Sequence, residues 1–163
     1  MSMILCLKPA TDAEINDLLK DPETIDDFLD IEEESAYTEL DKAWHGIHFI
    51  LTNSDWEGDE PLCFLLSGGR SVGDIDVGYG PARALTSDQV AAFDSALEKI
   101  DETEFRKRFN PKAMSDNEIY PSIWDRTEDE DDTIGYLCSY FDDLKIFLKT
   151  TSQTRKGMIV WMT

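Results

Sequence analysis

Two histidines and a carboxylate on one predicted helix form a first group with metal-binding chemistry. Asp41, His45 and His48 fall within about 60° of one another on a helix, because successive residues advance by about 100°. Two imidazoles and a carboxylate could hold a divalent metal with open positions, although the spacing differs from HExxH. The preferred interpretation is a helix edge with His48 partly buried and His45 exposed. No metal and no other cofactor is therefore predicted.

A glycine-rich stretch near the middle of the chain, GYGPAR, forms a second group. Backbone amides of such a loop, followed by a helix N-terminus, can hold a phosphate. Gly78 and Gly80 fit neither GxGxxG nor GxxxxGK[ST], and Pro81 removes one donor. Arg70 and Arg83 could each offer a fork for an anion. The preferred interpretation is a turn with glycines at positive φ and Arg83 paired with an acidic residue, and anion binding is the alternative.

Aromatic residues near predicted loops form a third group. Tyr120 and Trp124 could line a pocket or close the end of the core, and the core is favoured. Trp56 lies in an acidic loop, which predicts an exposed contact residue. His48 and Trp44 are the first candidates for the wall of a cleft. The candidate pocket therefore comprises Trp44, His48, Gly78, Tyr79, Gly80, Arg83, Tyr120 and Trp124.

Other catalytic patterns are missing from the sequence. There is no GxSxG nucleophile elbow, and carboxylates are so abundant that no acid–base pair can be assigned. Cys6, Cys63 and Cys138 are far apart and form no CxxC pair, which argues against a disulfide framework or a zinc site. We expect buried, reduced thiols in a cytoplasmic protein. The N-terminal residues also lack the pattern of a signal peptide.

The charge balance narrows the classes of partner. Thirty-five acidic against fifteen basic residues give a formal net charge of −20, which disfavours nucleic acid and anionic membranes. Between Asp12 and Asp41 there are thirteen acidic residues and one base. A second acidic block, predicted to be a mobile loop, spans Asp125 to Asp132. These acids either keep the protein soluble or form a docking face for a basic protein. The candidate partner face comprises Glu32, Glu33, Glu34 and Trp56.

Hydrophobic periodicity predicts one α/β domain over residues 1–163. Apolar runs predict strands at 2–8, 82–85 and 157–163. Capping signals at Thr11 and Thr86 predict that helices begin there. No apolar run reaches the roughly 18–20 residues that a membrane span needs. These elements indicate a small mixed sheet packed by helices. Other helices are predicted at 22–29, 39–52, 103–109 and 134–151, with a short one ending at Gly68.

Several segments, in this order, resemble the YfbM-like family of bacterial proteins. They are MSMILCLKPATDAEINDLL, LDKAWHGIHFILT, GYGPARALTSDQV, FRKRFNPKAM and NEIYPSIW. The resemblance covers nearly the whole chain and implies a three-layer αβα sandwich. The family is a domain of unknown function, so the resemblance implies no activity and no catalytic residues. The strong negative charge is treated as a property of this chain.

Two hypotheses for function remain. The leading one is a non-enzymatic protein-binding domain, such as an immunity or inhibitor protein, that engages a basic partner through its acidic surface. The alternative is a small-molecule or anion-binding enzyme with a cleft near His48, Arg83 and Tyr120. Association that weakens with salt is expected of the first. A compact pocket that holds His48 and Arg83 together is expected of the second.

Overall fold

The computed structural model describes residues 2–30, 37–127 and 131–163. These residues form five strands, seven α-helices and one short 3-10 helix. In chain order the elements are β1 (Leu5–Ala10), α1 (Asp12–Lys20), the 3-10 helix (Pro22–Thr24), α2 (Ile25–Leu29), β2 (Thr38–Glu39), α3 (Trp44–Thr52), β3 (Arg70–Ser71), β4 (Arg83–Leu85), α4 (Ser87–Glu98), α5 (Glu102–Arg108), α6 (Pro111–Asp116), α7 (Thr133–Gln153) and β5 (Gly157–Met162).

The sheet has the order β2-β1-β5-β4-β3, and every pairing found in the described residues is antiparallel. The prediction of a mixed sheet is therefore wrong. β5 lies at the centre, where Trp161 pairs with Cys6 on one side and Ile159 pairs with Ala84 on the other. Helices between strands suggested parallel crossovers, but the direction of each strand depends on how the chain returns to the sheet. β2 and β3 are two residues long, too short to show an apolar period.

Alternate residues of the central strand belong to two separate hydrophobic clusters, because successive side chains point to opposite faces. Met158 and Val160 join the larger cluster with residues of α3, α4, α5 and α7. Ile159 and Trp161 join the smaller cluster with residues of α1 and α2. Helices thus pack against both faces of the sheet. This two-sided burial explains the nearly continuous apolar run of β5.

The two predicted helix starts are confirmed in atomic detail. The Glu14 amide donates to Thr11 Oγ1 at 3.1 Å, and the Thr11 amide donates to Glu14 Oε1 at 2.9 Å. Thr86 and Gln89 make the same reciprocal pair at the start of α4. Each capping box satisfies two amides that would otherwise lack a helical partner. The second box fixes where β4 ends and α4 begins.

Other predicted boundaries differ from the structure. The first strand covers Leu5–Ala10 and not 2–8. The helix predicted over 39–52 begins at Trp44, because Glu39 pairs with β1 and Asp41 has a positive φ of 46°. The short helix predicted before Gly68 is wrong. Residues 61–66 form successive turns without a sustained helix, and Gly68 follows with φ 81°.

All three cysteines are buried and free, as the sequence predicts. None of the helices in the described part of the chain is long and apolar enough to cross a membrane. Two sequence interpretations involve residues that the structure does not describe. Glu32, Glu33 and Glu34 of the candidate partner face lie outside the described residues, as do residues 128–130 of the second acidic block.

Candidate functional site

A cavity of about 280 Å³ opens at the end of the sheet where β5 ends and where β1 and β4 begin. We call it the sheet-end pocket. Its floor includes the buried side chains Leu5, Leu65 and Val160. Its volume lies just below the roughly 300–1,000 Å³ that is usual for small-molecule sites. The full lining is Leu5, Trp56, Leu65, Leu66, Ser71, Tyr79, Pro81, Arg83, Val160, Trp161 and Met162.

Trp56 forms one wall of the pocket and is 52% exposed, which confirms the predicted exposure. Its ring is nevertheless supported from behind. The ring centroids of Trp56 and His45 are 4.6 Å apart, and those of Trp56 and Trp44 are 6.0 Å apart. Such ring contacts each contribute about 0.5–1.5 kcal/mol beyond area burial. Trp56 therefore presents a preorganised aromatic surface to the pocket.

Tyr79 forms a second wall and is 41% exposed. Its amide donates to the Met162 carbonyl at 3.0 Å, which ties the glycine loop to the end of β5. Gly78 has φ 149°, and a Cβ there would lie 2.5 Å from the Met162 oxygen, so this contact requires glycine. The Gly78 and Gly80 amides donate to Asp76 Oδ1 at 2.8 and 3.0 Å.

The bonds to Asp76 bear on the two interpretations of the glycine loop. Hydrogen bonds from Gly78 and then from Gly80 lower the pKa of the Asp76 carboxyl, because they favour its charged form. The amides that could have held a phosphate are therefore occupied by a carboxylate of the same chain. The geometry supports the interpretation of the loop as a turn that positions Tyr79.

Arg83 lies in the wall at the start of β4. Its Nη1 donates to the Gly68 carbonyl at 2.9 Å, and its Nη2 donates to the carbonyls of Phe64 and Leu65 at 3.0 and 2.6 Å. Because the turns over 61–66 do not continue as a helix, these carbonyls need another donor. The prediction that Arg83 pairs with an acidic residue is wrong within the described part of the chain, where its partners are these carbonyls. Burial lowers the pKa of Arg83 to about 10, so the guanidinium stays charged at neutral pH.

Both histidines lie in the interior and are held neutral. His45 Nδ1 accepts the Tyr120 amide at 2.9 Å, which fixes the proton on Nε2, 2.8 Å from the Asp55 carbonyl. Burial lowers the pKa of His45. His48 is 0% exposed, and its Nε2 lies 2.9 Å from the Glu57 carbonyl. Burial lowers the pKa of His48 to about 4. The predictions of an exposed His45 and a partly buried His48 are therefore wrong.

The metal hypothesis receives no support from this geometry. The Asp41 carboxylate accepts the Tyr136 hydroxyl at 2.8 Å, and both ring nitrogens of His45 have protein partners. The described residues contain no group of three or more acidic, histidine or cysteine side chains that could hold a metal ion. The predicted helix edge is also wrong, because α3 is buried on all sides from Trp44 to Leu51 and Asp41 precedes its first residue.

The eight predicted pocket residues separate into distinct groups. Tyr79 and Arg83 line the sheet-end pocket, and the two glycines belong to the adjoining loop. Trp44, His48 and Trp124 are buried, and Tyr120 packs partly buried against the larger cluster. The interpretation of Trp124 as a core residue is thus supported. The apolar floor could not be recognised from the sequence, because its residues are of the types found in any core. The sequence also placed Trp56 in a partner face and not in the pocket.

Comparisons with known proteins agree with the resemblance seen in the sequence. A family model described as Domain of unknown function (DUF1877) matches residues 1–161. Protein YfbM of Escherichia coli (strain K12) is 32% identical over 129 residues, which cover 76% of this chain and 75% of that protein. The crystal structure of YfbM, a protein of unknown function from Escherichia coli, superposes with a TM-score of 0.74 at 23% identity and covers 100% of both chains. The chain therefore belongs to the DUF1877 family, whose model covers residues 1–161.

Proposed function

We propose that this chain is a binding protein for a small molecule with a flat apolar part, and that the sheet-end pocket is its site. One observation carries the proposal. Three large hydrophobic side chains are exposed in the described residues, and two of them, Trp56 and Tyr79, line the same pocket. Exposed aromatic surface beside an apolar floor is typical of ligand sites. The ionisable side chains in the described lining are Tyr79 and Arg83, which form no acid–base pair, so binding is favoured over catalysis.

Replacing Trp56 with alanine is expected to weaken binding of small aromatic fragments about tenfold, because one aromatic wall contributes on the order of 1.4 kcal/mol. Ligand-observed NMR with a fragment library, followed by titration of the hits, measures the change. Ile146→Ala is the matched control, since Ile146 is the third exposed large hydrophobic residue and lies on α7, outside the pocket lining. Equal losses in both variants, or a library without hits, would contradict the proposed site.

An acidic docking face is the second candidate function, and a specific observation favours it. Every acidic side chain from Asp12 to Asp30 is exposed, eight in all, with one base, Lys20, among them. The ion pairs found in the described residues lie elsewhere, on α4 to α7 and at Arg126. These carboxylates are thus not neutralised within that part of the chain. A basic protein partner, met in the cytoplasm, is the partner that this field would attract.

Neutralising four of these carboxylates is expected to slow association with a basic partner about tenfold at low salt, with little effect at high salt. The variant is Asp17→Asn, Glu23→Gln, Asp26→Asn and Asp27→Asn. Stopped-flow or surface-binding kinetics, with a partner captured from cytosol at low salt, give the rate. The control for net charge replaces four exposed acids elsewhere: Asp88→Asn, Glu118→Gln, Asp142→Asn and Asp143→Asn. An association rate that does not change with salt concentration would rule out the acidic docking face.

The proposed site also fits a three-layer arrangement of helices and sheet. The helices that cover both faces of the sheet support the three-layer αβα arrangement that the family resemblance implies. The sheet-end pocket lies at the rim of the middle layer in that arrangement. A ligand there would contact residues of the strands and their connecting loops, as is usual for sites at sheet ends.

A further inference from the structure

We propose that the ligand of the sheet-end pocket is a small monocarboxylate with a flat apolar body, its carboxylate paired with Arg83 and its body held between Trp56 and Tyr79. This inference rests on the proposed function and adds the chemical class of the ligand. It depends on three features of the described residues: an unneutralised cation, two aromatic walls and a small volume.

The cation is the first feature. Arg83 donates three hydrogen bonds to carbonyls, and a guanidinium carries five N–H groups. In the described residues it forms no ion pair, although the chain holds thirty-five acidic residues. A partly buried cation without a counter-ion is unfavourable, because its charge has lost solvation and has gained no opposite charge. A carboxylate in the pocket would supply that charge.

The neighbourhood of the cation indicates one negative group rather than several. The three carbonyl bonds hold the guanidinium in place before a ligand arrives, which lowers the entropic cost of binding. Both buried histidines are neutral at pH 7 and add no positive charge. Arg83 is the one basic side chain in the described lining, so a single carboxylate matches the charge there.

The shape of the pocket selects the rest of the ligand. Trp56 and Tyr79 offer exposed aromatic side chains, while Leu5, Leu65 and Val160 offer an apolar floor. A cavity of about 280 Å³ suits a compact molecule rather than a nucleotide or a peptide. The −20 charge of the chain also disfavours ligands with several negative charges. A flat ring that bears one carboxylate satisfies all of these conditions.

The test compares carboxylates with their neutral amides. Phenylacetate, 3-phenylpropionate and indole-3-acetate are titrated against the full chain by calorimetry or NMR, each beside its primary amide. The carboxylates are expected to bind about 10- to 100-fold more tightly than the amides, which is the effect of one hydrogen bond to a charged group. Arg83→Met should abolish this preference and Arg83→Lys should retain part of it. Arg70→Met, which removes a charge on the neighbouring strand β3, should leave it intact.

Each outcome decides the inference. If acids and amides bind equally and Trp56→Ala weakens both, the carboxylate inference fails and the proposed pocket stands. If no acid and no amide binds at millimolar concentration, both fail. Arg83→Met removes the donor to three carbonyls, and if this variant unfolds, the affinities of acids and amides for the natural chain still test the carboxylate inference. In NMR spectra of the natural chain, a shift of the Arg83 Nε–H resonance on addition of the acids, but not of the amides, supports the pairing of Arg83 with the carboxylate. If the acids cause no such shift, the pairing is overturned.

Discussion

Replacing Trp44 with alanine is expected to lower the free energy of unfolding by about 3–5 kcal/mol, the usual cost of removing a large buried aromatic side chain. Trp44 is fully buried in the larger cluster. Its indole Nε1 donates to the Met3 carbonyl at 2.9 Å, and its ring stacks on those of His45 and Tyr120 at centroid distances of 5.0 and 5.5 Å. The change therefore removes packing, a hydrogen bond and two ring contacts together.

Chemical denaturation followed by circular dichroism measures this loss. Trp56→Ala is the matched control, because the same residue type is removed from a half-exposed position, and about 1 kcal/mol is expected there. Trp44→Ala should also loosen Trp56, whose ring rests on Trp44 and His45. Similar losses of stability in the two variants would show that the ring contacts of Trp44 with His45, Tyr120 and Trp56 do not stabilise the fold as the geometry indicates.

The stability of the folded chain is expected to fall as the pH drops below about 6.5, with His48 as a main cause. Burial lowers the folded-state pKa of His48 from 6.5 to about 4. Its Nδ1 is buried and has no partner in the described residues, so a proton added there would lack an acceptor. Because the unfolded chain takes up this proton first, the contribution of neutral His48 is complete above pH 6.5 and is lost as the pH falls toward 4.

The measurement is urea unfolding of the natural chain and of His48→Gln at pH 7 and at pH 5. Glutamine keeps a donor for the Glu57 carbonyl but does not titrate. The natural chain should lose about 2 kcal/mol more than the variant between these two pH values. The carboxylates titrate in both proteins, so their contribution cancels when the two changes in unfolding free energy are subtracted. Working at pH 5 also avoids precipitation near the pI of about 4.2. Equal losses in the two proteins would mean that His48 is protonated in the fold at little cost.

The sequence by itself determined the elements that depend on local interactions. Thr11 with Glu14, and Thr86 with Gln89, fix helix starts through bonds that span three residues. The apolar period of α7 and the apolar run of β5 likewise identify what each segment must bury. Such signals require no knowledge of distant partners, so they can be recognised before the fold is known. The exposure of Trp56 in its acidic loop was predictable for the same reason.

Only the tertiary structure decided how these elements meet. β1 and β5 are far apart in the sequence and pair antiparallel, and no local pattern records that direction. The sheet-end pocket joins Trp56, Tyr79 and Arg83 to an apolar floor whose residues Leu5, Leu65 and Val160 are far apart in the sequence. Arg83 binds carbonyls rather than an acid because the turns before β3 fail to continue as a helix. Long-range packing sets burial, charge pairing and histidine protonation, and these properties distinguish a binding site from an ordinary core.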